Sequence, residues 1–454
     1  MPAEGSEGGP PDTHTHLSEP LHMAAPTTGK PARKPRRRWR WHVPPALVHG
    51  NENLEGTELL EEFSGAMGLA LWQSARDVTL WALVREPEER PGLFQPAAYD
   101  QRLRQIEVAG VDAAIDAPLR TLARITRDPG GVTEDEVLSA CHDVSVWAEQ
   151  HEKLGTATTF AQAGALAVPA NAAAGFRVGQ LARRKAEYPR AESWFRRVIG
   201  LGRQAKDWAS YSEAFLGLGN LYTQRGNYPA AKRFHIRGLR AAKRHGLRDI
   251  VGRALHDLFV IAVDTNDPVE ALESARGAFK AYGPSHERLP VLAHDLAYFW
   301  MTRGRFEQAL RVFQAVLPHI TQPHERLLTV ADIGRAAGGA GNRAEFDRAW
   351  DEVWNFAGEW HTRPHAAQAL LDLARGAASL KDWTRAERAA STARDVATRR
   401  EEGRVVIEAE AVVDQVARKR AIDEATEPAG TEQEAADSDT LAADLLRLLS
   451  APRR

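Results

Sequence analysis

Apolar residues recur at spacings of three and four along the middle of the chain, a pattern typical of amphipathic α-helices. Over residues 51–135 the pattern is carried by Leu59, Phe63 and Met67 and by similar groups after them. Prolines and a Pro-Gly-Gly segment interrupt it, which predicts several separate helices. No segment shows a clear strand pattern. The sequence therefore predicts an all-α protein with a helical N-terminal domain over residues 51–135.

From about residue 138 the pattern repeats, most clearly in residues 216–222 (LGLGNLY) followed by 226–231 (GNYPAA). An aliphatic residue fills one slot of every copy: Val144, Val178, Leu218, Leu258, Leu296, Ile333 and Leu373. The next slot holds small residues, with Phe259 as the exception: Ser145, Gly179, Gly219, Phe259, Ala297, Gly334 and Ala374. Thirteen residues after the aliphatic slot stands alanine, with Phe346 as the exception: Ala157, Ala191, Ala231, Ala271, Ala309, Phe346 and Ala386.

These slots resemble those of the tetratricopeptide repeat (TPR), a helix–turn–helix unit whose two helices cross closely at small residues. Successive copies are 34, 40, 40, 38, 37 and 40 residues apart, which is similar to the long repeats of bacterial signal-responsive regulators. The resemblance covers residues 138–400 and implies a right-handed superhelical solenoid of about seven units. Residues 401–421 continue as an amphipathic segment that suits a capping helix. The departures at Phe259 and Phe346 predict a kink or a wider groove.

The resemblance also implies that the first helices of the units line a concave face that binds peptides. The expected groove residues are Arg177, Gln180, Arg184, Asn220, Gln224, His256, His294, Tyr298, Arg335 and Arg375. Arginine can bind a carboxylate through two hydrogen bonds, amides can hydrogen-bond to a peptide backbone, and aromatic rings can anchor apolar side chains. The alternative is that these side chains only solvate an exposed helix face.

An acidic residue recurs just before the aliphatic slot, as Asp257, Asp295, Asp332 and Asp372. Such a row could bind a basic ligand, but we favour hydrogen bonds to the neighbouring unit, because buried polar groups need partners. Two of these acids follow a histidine directly, yet no third ligand stands at helical spacing. We expect neither a metal site nor a cofactor.

Residues 1–50 hold 9 of the 25 prolines and are expected to be a disordered tail. The tail carries a basic arm with interleaved tryptophans and no acid from residue 20 to 50: Arg33, Lys34, Arg36, Arg37, Arg38 and Arg40. The arm could neutralise phosphates while its indoles stack on bases, or it could be a solubilising tail. No helix-turn-helix pattern supplies sequence readout.

The C-terminal region divides into an acidic and an apolar part. Residues 422–440 contain seven acids and no base, which predicts a disordered acidic linker. Residues 441–454 begin with a leucine stripe at Leu441, Leu445 and Leu448, which predicts a short amphipathic helix. A helix this short is marginal alone, so it either docks in the concave groove, with Asp444 near Arg335 or Arg375, or frays.

Composition narrows the classes of function. The net charge of −2 over 454 residues argues against wholesale polyanion binding, and the single cysteine, Cys141, excludes an internal disulfide and fits a reducing compartment. No apolar run approaches the ~20 residues of a membrane span, and the first residues lack a signal-peptide pattern, so we expect a cytoplasmic protein without a membrane partner.

No catalytic motif is present, and we expect no enzyme. The sequence predicts a protein- or peptide-binding scaffold or sensing module; the alternative is a nucleic-acid-associated regulator acting through the basic arm.

Overall fold

The computed structural model describes residues 43–46, 54–84, 86–355, 360–418 and 432–450. Within these ranges all regular elements are helices, and no strand occurs. They comprise 20 α-helices and two short 3₁₀ helices, Pro87–Gly92 and Leu317–His319. This confirms the all-α class.

Four helices precede the repeats: α1 (Thr57–Glu62), α2 (Gly65–Leu83), α3 (Ala98–Ala109) and α4 (Ala113–Arg127). Seven helix pairs follow: α5 (Glu134–Gln150) with α6 (Leu154–Ala167), α7 (Ala172–Arg184) with α8 (Tyr188–Ala205), α9 (Trp208–Gln224) with α10 (Tyr228–Arg244), α11 (Arg248–Asp264) with α12 (Pro268–Tyr282), α13 (Leu289–Met301) with α14 (Phe306–Val316), α15 (Pro323–Gly339) with α16 (Arg343–Trp354), and α17 (Ala366–Ser379) with α18 (Trp383–Arg399). The last two are α19 (Gly403–Ala417) and α20 (Glu432–Ser450).

The seven pairs are the predicted TPR-type units. All seven aliphatic slots and all seven slots thirteen residues later are buried, including Phe346, which replaces alanine. Ala231 is fully buried in the best-matching unit, and Gly219 faces His235 so closely that a Cβ would overlap the imidazole. Small residues therefore let the two helices of a unit approach, as the sequence pattern indicates.

Each unit turns between its two helices through one residue in the left-handed region, always eight positions after the aliphatic slot. These residues are Glu152, Ala186, Gly226, Asn266, Gly304, Gly341 and Lys381, with φ between 58° and 74°. Asparagine or aspartate then caps many of the second helices; Asp267, for example, accepts a hydrogen bond from the backbone N–H of Glu270 at 3.0 Å. Pro268 stands at the start of that helix, as expected for a residue without an N–H.

The spacing between successive units varies with the side chains at the contact. Helices α15 and α17 approach backbone to backbone at Gly338 and Gly376. The contact is so close that a Cβ on Gly338 would overlap the backbone of Gly376. In contrast, α11 carries the fully buried Phe259, whose ring packs edge-on against Phe299 of α13 at 6.3 Å between centroids. The bulky pair holds α11 and α13 apart.

Helices α1–α4 share one hydrophobic core with the first two units. Leu71 and Trp81 of α2 lie in the same cluster as Val144 of α5 and Phe160 of α6. Glu62 also accepts hydrogen bonds from the backbone N–H groups of residues 155 and 156, at 2.7 Å each, and so caps the start of α6. Both apolar and polar contacts therefore join the N-terminal helices to the solenoid.

Helix α20 begins at Glu432, within the stretch expected to be a disordered linker. Acids are favourable near a helix N-terminus, and arginines of the solenoid pair with two of these acids, Asp437 and Asp439. The helix packs against α12, α13 and α14. Parts of the chain far apart in sequence also meet elsewhere: Arg400 donates to the Arg184 carbonyl at 2.8 Å, and Arg363 pairs with Glu152 at 2.5 Å.

Candidate binding surfaces of the solenoid

All ten expected groove residues lie on first helices, and none of them is exposed. His256, His294 and Arg335 are buried, and the other seven are half-buried. The side chains therefore do not simply solvate an outer helix face. Their polar partners divide the face into two parts.

In the C-terminal part the polar groups bind one another across unit boundaries. His256 Nε2 of α11 lies 2.8 Å from Asp295 Oδ2 of α13, and the other oxygen of Asp295 lies 2.9 Å from His294 Nδ1. His294 Nε2 in turn lies 3.0 Å from Asp332 Oδ2 of α15. We call these four residues the histidine–aspartate ladder.

The ladder shifts the protonation of its members. Burial favours neutral His294, but hydrogen bonds and charge interactions with Asp295 and Asp332 raise its pKa to about 10. Burial opposes the charge of Asp295 as well, yet His256 and His294 hold the pKa of that carboxyl well below its usual range. Burial and the nearby carboxylate of Asp372 raise the pKa of Asp332 above its usual range, against the effects of His294 and Arg335. The ladder thus carries buried charge that depends on pH.

A second set of ion pairs continues the same face. Arg335 Nη1 lies 2.9 Å from Asp372 Oδ1 of the next unit, and Arg375 Nη2 lies 2.9 Å from Glu408 Oε2 of α19. Arg404 pairs with Glu408 at 2.9 Å. Arg335 and Arg375 therefore use their guanidinium groups within the protein.

Two of the recurring acids, Asp295 and Asp372, accept hydrogen bonds from the preceding unit, as the favoured interpretation of the sequence predicts. Asp295, Asp332 and Asp372 each meet a basic side chain of the preceding unit. Asp257 lies 3.4 Å from His235, also of the preceding unit, a longer contact. The row of acids is thus a device that joins units.

In the N-terminal part of the face, hydrogen-bonding capacity remains. Arg177 and Arg184 both pair with the single carboxylate of Glu149, and the Nε of each is buried without a hydrogen-bond partner. Gln224 Oε1 of α9 is also buried and accepts no hydrogen bond. Gln180 and Asn220 lie half-buried on the same helices. This part of the face can still satisfy donors and acceptors of a ligand.

A cavity of about 300 Å³ lies between α5, α6 and α7 beside Arg177. Its walls are mostly apolar and include Leu138, Phe160 and Ala174. The cavity could hold one apolar side chain next to the Arg177 guanidinium.

Helix α20 occupies a separate surface, which we call the α20 seat. Leu445 is fully buried, Leu441 and Ala442 are nearly so, and Leu448 packs against the same core while partly exposed. The three predicted leucine anchors therefore all contact the solenoid. The seat is built by α12, α13 and α14 rather than by the region of Arg335 and Arg375.

Polar contacts fix the N-terminal half of α20 in the seat. The Trp300 indole N–H donates to Ser438 Oγ at 3.1 Å. Arg276 pairs with Asp437 at 2.5 Å, and Arg305 pairs with Asp439 at 2.7 Å. The predicted position of Asp444 was wrong: it is half-exposed and pairs with Arg447 of its own helix at 2.9 Å, because Arg335 and Arg375 are already engaged by Asp372 and Glu408.

Sequence reasoning missed the residues that complete these surfaces, among them Glu149, Glu408, Arg404, Trp300 and Arg305. Arg404 and Glu408 stand four apart in the predicted capping helix, a spacing that indicates an ion pair on one helix face. Nothing in the sequence indicates that this pair would turn toward Arg375. Nothing in the sequence indicates the contacts of Trp300 and Arg305 with α20, since their partners lie more than a hundred residues away.

Three further sequence expectations concern the basic arm, metal binding and membrane spans. The basic arm lies outside the described ranges, so its role remains a prediction. No group of three or more potential metal-ligating side chains clusters in the part of the chain that the structure describes. Within the same ranges, every helix is too short or too polar to cross a bilayer.

Comparisons with known proteins add little beyond the fold. No protein-family model matches the chain. Two glucosidases of Carapichea ipecacuanha, ipecoside beta-D-glucosidase and ipecac alkaloid beta-glucosidase 2, are each 26% identical over 112 residues, which cover 23% of this chain. The chain matches only 20% of the length of each enzyme.

Among solved structures, the STAND protein with a tetratricopeptide repeat sensor from Pyrococcus horikoshii is 14% identical with a TM-score of 0.44, covering 87% of this chain and 64% of that protein. The Rap conjugation gene regulator of plasmid pLS20, solved with the Phr* peptide, is 11% identical with a TM-score of 0.35, covering 76% of this chain and 96% of that protein. Similarity this weak assigns no function. The chain resembles tetratricopeptide-repeat proteins in its slots and helix pairs.

Proposed function

We propose that this protein is a protein-binding scaffold that receives amphipathic helices of other proteins in the α20 seat. The observation that carries the proposal is α20 itself, which the solenoid already holds as a bound helix. Its apolar stripe fills the seat, and its acidic end meets two arginines. A helix laid into a groove of helices is a common mode of protein recognition.

The seat defines the chemistry of the partner. An incoming helix needs acids near its N-terminus for Arg276 and Arg305, and a hydrogen-bonding side chain for the Trp300 indole N–H. It then needs apolar residues at the spacing of Leu441 and Leu445, one turn apart on the same face. A basic amphipathic helix would meet like charge and be rejected.

The covalent attachment of α20 makes this recognition adjustable. An intramolecular ligand competes at an effective concentration on the order of millimolar, so only a tighter or concentrated partner displaces it. Displacement exposes the apolar face of α20 at the same time as it fills the seat. Such an exchange would let the scaffold act as a sensing module.

A peptide that copies α20 tests the proposal. We expect a fluorescent peptide of residues 432–450 to bind the full-length Leu445→Asp chain, in which the native helix is weakened. The wild-type chain should bind the peptide at least about tenfold more weakly, because its seat is filled. A peptide carrying the same Leu445→Asp change is the matched control.

Anisotropy titrations measure all three combinations, and circular dichroism verifies that the variant chain keeps its helices. If the folded variant binds the native peptide no better than the wild-type chain does, or no better than it binds the control peptide, the seat is not a helix receptor.

We further propose that the concave face contributes at its N-terminal part, through Arg177, Gln180, Asn220 and Gln224. Support comes from the unsatisfied polar atoms there and the adjacent cavity. His256, His294, Tyr298, Arg335 and Arg375 then serve to join units rather than to bind a ligand. The double variant Asn220→Ala/Gln224→Ala should bind a partner peptide more weakly than the wild-type chain does. An unchanged affinity would show that this face takes no part in the interaction.

A further inference from the structure

Basic side chains converge where the C-terminal turn of α7 meets the N-terminal ends of α15 and α17. Arg184 Nη2 lies 3.4 Å from the Nδ1 of His324, the second residue of α15. The His324 ring stacks on His365, which precedes α17, with 5.8 Å between centroids and 15° between planes. The charge of Arg183 acts on both rings, and that of Arg400 acts on His365.

The carboxylates of this region do not balance its positive charge. Glu149 is shared by Arg177 and Arg184, and Glu402 is engaged by Arg400 at 2.8 Å. Glu325, next to His324 in the first turn of α15, acts on Arg184 but also on Arg288 outside the cluster. Arg183 is half-buried and forms no ion pair with any described residue; Asp257 influences it only from a distance. Arg184 Nε is buried and has no hydrogen-bond partner. The cluster therefore holds strong donors that the described protein does not use.

The two helix ends add to the positive potential. No side-chain hydrogen bond caps α15 or α17, so their first backbone N–H groups are not satisfied by side chains. His365 adopts the left-handed conformation, with φ of 62°, as the residue before α17. Helix N-termini carry partial positive charge and favour anions.

The imidazoles respond to this environment. Burial and the charges of Arg184 and Arg183 lower the pKa of His324 to about 3. Burial, His324 and the guanidinium groups of Arg183, Arg400 and Arg184 lower the pKa of His365 well below its usual range. Without an anion, both rings are neutral at physiological pH and lie in a positive field.

We infer that this cluster is a binding site for a phosphoryl group, either free phosphate or a phosphate monoester. A dianionic oxyanion offers several acceptor oxygens to Arg183, Arg184 and the two imidazoles, and it neutralises the guanidinium charges. The site lies apart from the α20 seat, so the absence of phosphate binding would leave the proposed helix-binding function intact.

Bound phosphate would connect distant repeats. Arg183 and Arg184 belong to the second unit, whereas His324 and His365 belong to the start of the sixth and seventh. The ligand would therefore strengthen the contact that Arg400 already makes with the Arg184 carbonyl. Phosphate should stabilise the full chain against heat, with a melting temperature that keeps rising with the logarithm of phosphate concentration above the Kd.

Calorimetric titration of the full-length chain with inorganic phosphate, phosphoserine and acetate tests the inference. We expect both phosphates to bind more tightly than acetate, and the tighter of the two identifies the source of the phosphoryl group. Arg183→Gln should weaken binding at least about tenfold. Arg240→Gln, which removes the same charge from an exposed position on α10, is the matched control and should change nothing.

Two further readouts separate a ligand site from a structural role. In phosphate-free buffer, Arg183→Gln should leave the melting temperature unchanged or higher, because it relieves repulsion. Phosphate should also raise the pKa values of His324 and His365, seen in their imidazole carbon-bound proton shifts. No phosphate binding, equal affinities for the two Gln variants, or unmoved histidine shifts would overturn the inference.

Discussion

His294 Nε2 lies 3.0 Å from Asp332 Oδ2, and the two residues belong to the first helices of successive units. His294 also pairs with the half-buried Asp295 of its own helix, whereas Asp332 is fully buried. At the boundary between the fifth and sixth units the ladder therefore depends on a single protonated side chain.

Replacing His294 by glutamine should destabilise the protein by about 3 kcal/mol near neutral pH, because the fully buried Asp332 loses its cation and Asp295 keeps only His256. The pKa of His294 is raised to about 10, above its ordinary value of 6.5. The stabilisation is therefore complete below about pH 6.5 and is lost as pH rises through about 10. Urea unfolding across this range should show the wild-type advantage shrinking with rising pH.

His286→Gln is the matched control, since its imidazole pairs with the exposed Asp249. It should cost little at any pH. A difference in unfolding free energy between wild type and His294→Gln that does not vary with pH would show that His294 is not protonated in the ladder.

Gly338→Ala should destabilise the solenoid by about 1–3 kcal/mol, because the new methyl group would overlap the backbone of Gly376 on α17. Gly277→Ala on α12 is the control: its methyl group would meet only the flexible end of Leu255, at 3.0 Å. That variant should be neutral or more stable, as helical glycine is unfavourable. Equal melting temperatures for the two variants would contradict the close packing of α15 on α17.

Ala186→Gly should raise stability by about 0.5 kcal/mol, because Ala186 occupies the left-handed region with φ of 63°. Ala173→Gly, at an exposed position within α7, should instead lower stability by about 0.5–1 kcal/mol. Chemical unfolding of both variants measures the contrast. A loss of stability in both would mean that the turn after α7 is not left-handed.

Glu62→Ala should loosen the N-terminal helices, with a cost of about 1–2 kcal/mol, since two backbone N–H groups of α6 lose their acceptor. Glu61→Ala removes the adjacent exposed acid and should have little effect. Limited proteolysis between α4 and α5 reports the loosening. Similar cleavage of the two variants would contradict the capping role of Glu62.

The repeat slots could be predicted from the sequence because each is set by the local geometry of one helix pair. The aliphatic positions and alanines such as Ala231 recur at a fixed offset, and all are buried. Even the exceptions fit the core, since Phe259 and Phe346 are fully buried. Patterns of this kind need no knowledge of distant contacts.

The partners of the polar residues could not be predicted in the same way. Arg335 and Arg375 have the chemistry of ligand-binding residues, but Asp372 and Glu408 engage them. Those contacts depend on how successive units and α19 are placed. The seat of α20 depends on Trp300 and Arg305, which are separated from their partners by more than a hundred residues.

The docking of α20 is the most direct test of the protein-binding account. Hydrogen exchange of the amides from Leu441 to Leu446 should be compared in the wild-type chain and in Leu445→Asp. Because Leu445 is fully buried, we expect wild-type exchange to be slower by at least about tenfold, with the protected amides of α13 also exchanging faster in the variant. Equal and rapid exchange of α20 in both chains would show that the seat is empty and would contradict the account.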